Sequence, residues 1–213
     1  MLKDNQPKKY EKILIYLTGY GPFHDIKINP SQLLAEMIYD RKDLISSMFT
    51  NISIDLLKIM EVDCSYVDEN VKTLYESIEK NQDSSTMKLI IHFGVNVNIE
   101  APKFNLETRG INYIKDGLSR NGKINSSMDI NAAINTKIDT KYITHKFGTN
   151  FEVSNNAGSF LCNYIYFNTL FEFLSKEHFY TQFIHIPELK FISTDEGLSL
   201  FIEYLYGINE MFC

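Results

Sequence analysis

The sequence predicts an α/β protein, a three-layer α/β/α sandwich in which helices cover both faces of an open, twisted, mostly parallel mixed sheet. Two patterns predict this fold: short, continuous apolar runs typical of strands buried on both faces, and apolar residues at helical spacing between these runs. At 213 residues the chain is long enough for one sizeable core and short for two, so we expect a single domain.

In the first half of the chain, strand-length apolar runs alternate with helical apolar spacing. This order implies right-handed crossovers and a largely parallel sheet, in which binding sites lie beyond the carboxyl ends of the strands. Asn29 fits the N-cap of the first helix, with Pro30 at the first helical position. The predicted strands cover residues 13–17, 51–59 and 89–94, and the second helix covers residues 67–78.

The second half of the chain is less regular. The periodicity is lost over residues 95–135, and we expect a long, mobile loop at about 113–136. Beyond it, residues 140–147 fit a short helix and residues 151–154 fit the end of a strand. A central helix then begins near Cys162, and its apolar stripe is predicted to contain Phe167, Leu170, Phe171 and Leu174.

The last predicted elements are a strand at residues 182–187 and a helix that begins near Thr194. Alternation along the strand places Phe183 and His185 on one face of the sheet. At the other end of the chain, residues 1–12 are expected to form a polar tail that precedes a domain at residues 13–213.

Composition excludes several classes of function. The net charge of -6 gives no reason to expect nucleic acid or a membrane surface as a partner, and no apolar run reaches the roughly 20 residues that span a bilayer. The three cysteines are far apart and odd in number, which argues against a disulfide framework and against a metal site. The lysine-rich start lacks the apolar segment of a signal peptide, so we expect a cytoplasmic protein.

Cys162 is the candidate nucleophile. The small, turn-prone residues 155–158 allow the chain to bend sharply and deliver this thiol into the first turn of the central helix. Unpaired main-chain N–H groups and the positive end of the helix dipole favour the reactive thiolate there. The alternative is a small apolar residue packed at the start of a helix.

Hydrolysis of an amide by a cysteine also needs an imidazole and a group that orients it. His185 is the best candidate, because it lies near the carboxyl end of a predicted strand and therefore on the same rim of the sheet as the turn before Cys162. Glu107 follows a strand-end loop and fits the orienting group, although Glu100 and Asp116 fit it about as well. A half-buried strand histidine and an exposed loop carboxylate are the structural alternatives.

Four ordered segments resemble the motifs of the pyroglutamyl peptidase type I family of cysteine peptidases, in order and approximate spacing. Together they extend over nearly the whole chain from about residue 13. The segments are LTGYGPF (17–23) with INPS (28–31), LE (106–107) with GIN (110–112), AGSFLCNY (157–164), and FIHIP (183–187).

The resemblance implies a hydrolase that removes N-terminal pyroglutamate from peptides without a metal or other cofactor. Cys162 would be the nucleophile, His185 the general acid and base, and Glu107 the carboxylate that orients the imidazole. Phe23 and Tyr20 would supply flat walls for the lactam ring. Main-chain N–H groups near Cys162 would hold the oxyanion. The sequence is compatible with a homo-oligomer.

Asn29 either faces the lactam or only caps its helix.

The sequence departs from the family pattern in three places. The family has a glycine-rich segment with an arginine after the third strand, whereas this chain has residues 95–103. The aspartate that precedes Ala-Gly in the family is Asn156 here, and the segment after Asn112 matches only loosely.

Two other functions compete with this interpretation. The altered segment at residues 95–103 is compatible with a cysteine hydrolase of the same mechanism that acts on another small amide or ester. A domain that binds pyroglutamyl N-termini without cleaving them is the non-enzymatic alternative. The joint presence of Cys162, His185 and Glu107 argues against it, because binding alone does not require these three groups.

Overall fold

A computed structural model describes residues 9–23, 26–81, 83–115 and 120–213. A 3-10 turn at Gly148–Asn150 connects two of its regular elements. In chain order the strands and helices are β1 (Lys12–Tyr20), α1 (Pro30–Asp40), α2 (Lys42–Met48), β2 (Ile52–Met60), α3 (Cys64–Glu79), β3 (Thr86–Val95), β4 (Phe104–Glu107), β5 (Arg109–Ile111), β6 (Ile114–Lys115), β7 (Asn121–Gly122), β8 (Ala133–Asn135), α4 (Thr140–Phe147), β9 (Phe151–Ser154), α5 (Leu161–Glu172), β10 (Phe179–Ile186) and α6 (Thr194–Phe212).

Six of the strands form one mixed sheet in the order β2-β1-β3-β10-β4-β9. The first four are parallel to one another, whereas β4 is antiparallel to β10 and parallel to β9. The sheet is therefore mostly parallel, with two strands of opposite direction at one edge. The predicted single-domain α/β fold with an open, mixed sheet is confirmed.

Each face of the sheet carries its own apolar core. One core joins the sheet to α1 and α6 and includes Ile184 and Ile186 of β10. The other joins it to α3 and α5 and includes Phe183. The alternation predicted for this strand is confirmed, and the second face is the one toward which His185 points.

The direction of β9 corrects one step of the sequence analysis. We predicted that His185 lies on the same rim of the sheet as the turn before Cys162, but the strand that leads into this turn, β9, runs opposite to β10. Its last residue, Ser154, is paired with Glu107, which in turn is paired with Phe183. The turn between Ser154 and α5 therefore returns toward the rim, and on its way the Asn156 N–H donates to the Glu107 side chain on β4.

The apolar stripe predicted for α5 is also wrong in its second half. Phe167 and Leu170 are buried, but Phe171 and Leu174 are 41% and 52% exposed, and the helix ends at Glu172. The first half is instead buried over most of its circumference, because it lies between the sheet and the segment that contains β5–β8. Helical spacing alone could not show which part of the helix this segment covers.

The segment at 113–136 contains three short strands, β6, β7 and β8, while residues 116–119 lie outside the described part of the chain. Asn112, which directly precedes this segment, is bonded to Asn125 within it. Its Oδ1 accepts the Asn125 N–H at 2.6 Å, and its Nδ2 donates to the Asn125 carbonyl at 2.9 Å. At the start of the chain, Tyr10 is buried and donates its N–H to the Phe212 carbonyl. The folded part thus begins within residues 1–12, of which residues 1–8 are not described.

Candidate active site

Cys162 is the second residue of α5. The turn before it contains Gly158 with φ at +83°, a conformation that glycine adopts without strain. The N-cap residue of the helix, Phe160, makes no capping hydrogen bond through its side chain, so it leaves the first main-chain N–H groups unbonded. The sulfur lies against β3, where a Cβ added at Gly94 would come within 3.0 Å of Sγ. Glycine at this position therefore leaves room for the thiol.

His185 and Glu107 are in direct contact. The imidazole Nδ1 lies 2.7 Å from the carboxylate Oε1, and the two side chains are 5% and 0% exposed. The contact is diagonal across two antiparallel strands, because the residue directly opposite His185 is Asn105 and the one opposite Glu107 is Phe183. The sheet register therefore brings together two residues that are 78 positions apart.

The surroundings of His185 favour its protonated form. Burial by itself lowers the pKa of the imidazole, but hydrogen bonds to Cys162 and Glu107 and the charges of these groups outweigh it and raise the pKa from 6.5 to about 9. Since Nδ1 faces Glu107, Nε2 is the ring nitrogen left for the Cys162 thiol. The structure thus places Cys162, His185 and Glu107 in one cluster, with the sulfur over Gly94, the strand partner of His185.

Glu107 is held by hydrogen bonds to both its side chain and its main chain. Its Oε2 accepts the main-chain N–H of Asn156 at 3.1 Å. Its carbonyl oxygen accepts the Tyr166 hydroxyl at 2.8 Å and Gln182 Nε2 at 2.9 Å. Asn156 uses its own Oδ1 to accept the Gly158 N–H, so this neutral residue shapes the turn and also contacts the carboxylate through its main chain.

A narrow, largely apolar pocket adjoins the sulfur. Its lining residues come from the ends of β1 and β3, from the loop after each of β1 and β2, and from the start of α5. They are Tyr20, Phe23, Asn29, Val62, Val95, Phe160, Leu161 and Cys162. All three residues predicted to bind substrate, Phe23, Tyr20 and Asn29, therefore lie beside Cys162.

The two polar side chains of this pocket are already bonded within the protein. The Tyr20 hydroxyl donates to the Leu161 carbonyl at 2.9 Å, and burial keeps the pKa of this phenol well above its usual range. Asn29 Oδ1 accepts the N–H and the hydroxyl of Ser31, so this residue is the N-cap of α1. Its Nδ2 donates to the Gly21 carbonyl at 2.8 Å. Asn29 thus caps the helix and also lines the pocket.

Asn163, the residue after Cys162, ties α5 to the segment that follows Glu107. Its Oδ1 accepts the Ile111 N–H at 2.8 Å, and its Nδ2 donates to the carbonyls of Ile111 and Tyr113. The Lys115 N–H also donates to the Ser159 carbonyl at 2.6 Å. These bonds fix the start of the helix from the side opposite the sheet.

The alternative candidates lie elsewhere. Glu100 is exposed, and Asp116 and His24 lie outside the described residues. His92 is buried between the hydroxyls of Thr18 and Thr169, and its burial lowers the pKa to about 3. In the described part of the chain, no group of three or more His, Cys, Asp or Glu residues is arranged to hold a metal ion. No described helix is long and apolar enough to cross a membrane.

Sequence reasoning missed several residues around the site. Val62 and Val95 line the pocket. Of the two, only Val95 could have been recognised from the sequence as a pocket residue, because it directly follows the glycine that ends a strand. Tyr166 and Asn163 are outside the apolar stripe predicted for the central helix, and their hydrogen bonds go to β4 and β5, two strands that the sequence did not predict.

The family model of pyroglutamyl peptidase matches residues 11–200. No curated protein sequence matches the chain significantly.

Among solved structures, the fold is similar to that of a pyrrolidone carboxyl peptidase from Fervidobacterium islandicum AW-1, with a TM-score of 0.75, 19% identity, and coverage of 94% of this chain and 100% of that one. It is also similar to that of pyroglutamyl peptidase I from Bacillus amyloliquefaciens, with a TM-score of 0.73, 20% identity, and coverage of 92% and 94%. A mutant pyrrolidone carboxyl peptidase from Pyrococcus furiosus gives a TM-score of 0.74 at 18% identity, with coverage of 93% and 100%.

At these identities the structural matches show the fold, while the sequence match extends over most of the chain. The resemblance inferred from four short motifs is thereby confirmed. The chain belongs to the pyroglutamyl peptidase family.

Proposed function

We propose that this protein is a cysteine peptidase that removes N-terminal pyroglutamate from peptides, with Cys162 as nucleophile, His185 as general acid and base, and Glu107 as the group that orients the imidazole. The observation that carries this assignment is the position of the Cys162 sulfur over Gly94, the strand partner of His185, together with the bond between His185 and Glu107 and the apolar pocket that Cys162 lines. Family membership supports the same substrate class.

In the first step, the Cys162 thiolate forms a bond to the pyroglutamyl carbonyl carbon and the carbonyl electrons move to oxygen. Collapse of this intermediate breaks the C–N bond, and His185 Nε2 gives its proton to the departing amine. In the second step, water attacks the thioester while His185 takes one of its protons, and free pyroglutamate leaves as the thiol is restored. Glu107 keeps Nδ1 protonated and the ring in place throughout.

The start of α5 supplies the groups that would stabilise the oxyanion. Cys162 lies in the first turn, where main-chain N–H groups have no partner within the helix and no side chain caps them. A donor aimed at the developing negative charge is typically worth about 3 kcal/mol in the transition state. The helix dipole adds to the same effect.

The pocket fits a small, flat and neutral acyl group. Phe23 and Tyr20 provide ring surfaces, and Val62 and Val95 provide aliphatic ones. The Asn29 amide donates one N–H to the Gly21 carbonyl and has a second N–H for the lactam carbonyl. A charged group in this pocket would lose hydration without gaining a counter-charge from the lining residues.

One observation favours a second candidate, a cysteine hydrolase for another small neutral amide or ester. The Tyr20 hydroxyl, the Asn29 oxygen and one of the two Asn29 side-chain N–H groups are already bonded inside the protein, so shape and neutrality contribute more to selection than side-chain hydrogen bonds do. Val95, in the segment that departs from the family pattern, contributes only apolar surface.

A panel of fluorogenic amides tests these functions. We expect release of the fluorophore from the pyroglutamyl amide and almost none from the prolyl and glutamyl amides, whose amines are charged near neutral pH. Cys162→Ala should abolish turnover and keep the fold, as judged by circular dichroism. Faster cleavage of a different neutral acyl group would establish the second candidate, and tight binding of pyroglutamyl peptides without any cleavage would establish a binding domain.

A further inference from the structure

Gly94, His185 and Asn105 lie in one row across three adjacent strands. His185 on β10 is paired with Gly94 on β3 and with Asn105 on β4. Residues paired across neighbouring strands point to the same face of a sheet, and so do Asn105 and Glu107 on a single strand. Asn105 therefore projects from the face that carries the site, one strand beyond His185.

The same row gives the substrate a direction. The pocket lies on one side of the row, where Tyr20 of β1 and Val95 of β3 line it. The sulfur lies over Gly94, and His185 comes next along the row. A pyroglutamyl group in the pocket, with its carbonyl at the sulfur and its leaving amine at His185, points the rest of the peptide toward β4.

Asn105 carries an unused hydrogen-bond acceptor at this place. Its Oδ1 is buried and has no hydrogen-bond partner among the described residues. A buried acceptor without a partner destabilises the folded protein, and buried polar atoms in folded proteins are rarely left in this state. An atom of this kind beside a reacting site is well placed to pair with the bound substrate.

We propose that Asn105 binds the leaving part of the substrate, and that its Oδ1 accepts the main-chain N–H of the second residue after the scissile bond. Adjacent strands are about 4.8 Å apart, so Asn105 is about 10 Å from the strand beneath the sulfur. An extended peptide covers this distance in about three residues at roughly 3.3 Å each, counted from the pyroglutamyl residue. Asn105 is thus a determinant for peptides over simple amides, an inference that rests on the proposed function.

Two pairs of substrates test this role. The first pair is pyroglutamyl-trialanine amide and pyroglutamyl-7-amino-4-methylcoumarin, which has no N–H beyond the scissile bond. Asn105→Leu, which removes the acceptor at similar volume, should lower kcat/KM for the peptide about tenfold, the effect of one hydrogen bond, and change it less than about twofold for the coumarin amide. Asn105→Asp keeps an acceptor and should retain the preference for the peptide.

The second pair is the same peptide with and without a methyl group on the main-chain nitrogen of the second leaving residue. In the unmodified protein, methylation should cause the same loss of about tenfold, and in Asn105→Leu it should cause no further loss. Ser53→Ala is the matched control, because Ser53 Oγ is also buried without a hydrogen-bond partner in the described part of the chain but lies on β2, at the other end of the sheet. This substitution should change kcat/KM for neither substrate.

Equal losses for the peptide and the coumarin amide in Asn105→Leu would overturn the inference, as would a methylation penalty that persists in that variant. Thermal unfolding followed by circular dichroism verifies that Asn105→Leu is folded at the assay temperature, and Asn105→Asp provides the comparison if it is not. Failure of the unmodified protein to cleave either pyroglutamyl substrate would instead overturn the proposed function.

Discussion

Tyr166 donates its hydroxyl to the main-chain oxygen of Glu107 across 2.8 Å. Tyr166 lies one helical turn after Cys162 on α5, so this bond joins the helix that carries the sulfur to the strand that carries the carboxylate. Gln182 of β10 donates to the same oxygen. The separation between the sulfur and the carboxylate is therefore set by buried hydrogen bonds that take no part in the chemistry.

Replacement of Tyr166 by Phe should lower kcat with little change in KM. The substitution removes the bond between α5 and Glu107, but Gln182 still satisfies the carbonyl oxygen, so we expect a loss of stability of only about 1 kcal/mol. A small displacement of the sulfur relative to the imidazole should reduce kcat by roughly tenfold, since catalysis depends steeply on geometry. Steady-state kinetics and urea unfolding measure the two effects separately.

Tyr204→Phe is the matched control for this variant. The Tyr204 hydroxyl is buried and has no hydrogen-bond partner among the described residues, and it belongs to α6 on the opposite face of the sheet. Its removal should leave kcat unchanged and should not lower stability, because no hydrogen bond is lost. An equal decrease of kcat in both tyrosine variants would show that the bond to Glu107 has no special role.

Replacement of Glu107 by Gln should reduce kcat by about 10²–10⁴-fold. The carboxylate accepts from His185 through Oε1 and from the Asn156 N–H through Oε2. A glutamine has only one acceptor oxygen, so either the imidazole Nδ1 or the Asn156 N–H faces an amide N–H. The imidazole then loses both its orientation and its counter-charge.

Burst kinetics with a pyroglutamyl ester identify the step affected by Glu107→Gln, and Glu100→Gln, at an exposed position, is its control. An activity within threefold of the unmodified protein would mean that Glu107 only supports the strand. The control variant should behave like the unmodified protein, since Glu100 lies on the surface.

The parts of the site that follow from local patterns could be predicted from the sequence. The apolar runs of β1, β3 and β10 predict buried parallel strands, and the small residues before Cys162 predict a turn into a helix. These features place Cys162 at the start of a helix and His185 near the end of a strand. Each depends only on the order of neighbouring residues.

The contact between Glu107 and His185 could not be predicted in this way, because it depends on the direction and register of β4. This strand has four residues and lies in a stretch without periodicity. It belongs to the sheet only because β10 and β9 pair with it on either side. The same applies to Asn105 and Tyr166, whose places in the site are set by that register.

Activity should persist to about pH 9 and fall above it. The pKa of His185, raised to about 9, keeps the imidazole protonated over this range, and the protonated form is the one that gives a proton to the leaving amine. The alkaline limb of the kcat/KM profile, which reports the free enzyme, should therefore lie near pH 9. A limb near the ordinary histidine value of 6.5 would contradict the assigned surroundings of His185.

Stability should show the same titration. The folded protein binds the His185 proton more tightly than the unfolded chain does, so the resulting stabilisation is fully present below about pH 6.5 and is lost as the pH rises through about 9. Urea unfolding at pH 6, 8 and 10 should show a decrease that His185→Gln lacks. Cys162→Ala removes one of the two partners of the imidazole and should show a smaller decrease. Identical pH profiles for the unmodified protein and His185→Gln would exclude this linkage.

Iodoacetamide should modify Cys162 much faster than the other two cysteines near neutral pH. Cys162 is partly exposed and lies over Gly94, the strand partner of His185, whereas Cys64 is buried. Burial also raises the pKa of the Cys213 thiol, which lowers its thiolate fraction at pH 7. Mass spectrometry of peptides after brief alkylation measures the three rates in one experiment. His185→Gln should slow the modification of Cys162, whose thiol lies near the imidazole, and should leave the rate at Cys213 unchanged. Equal rates at Cys162 and Cys213 in the unmodified protein would show that Cys162 is not activated.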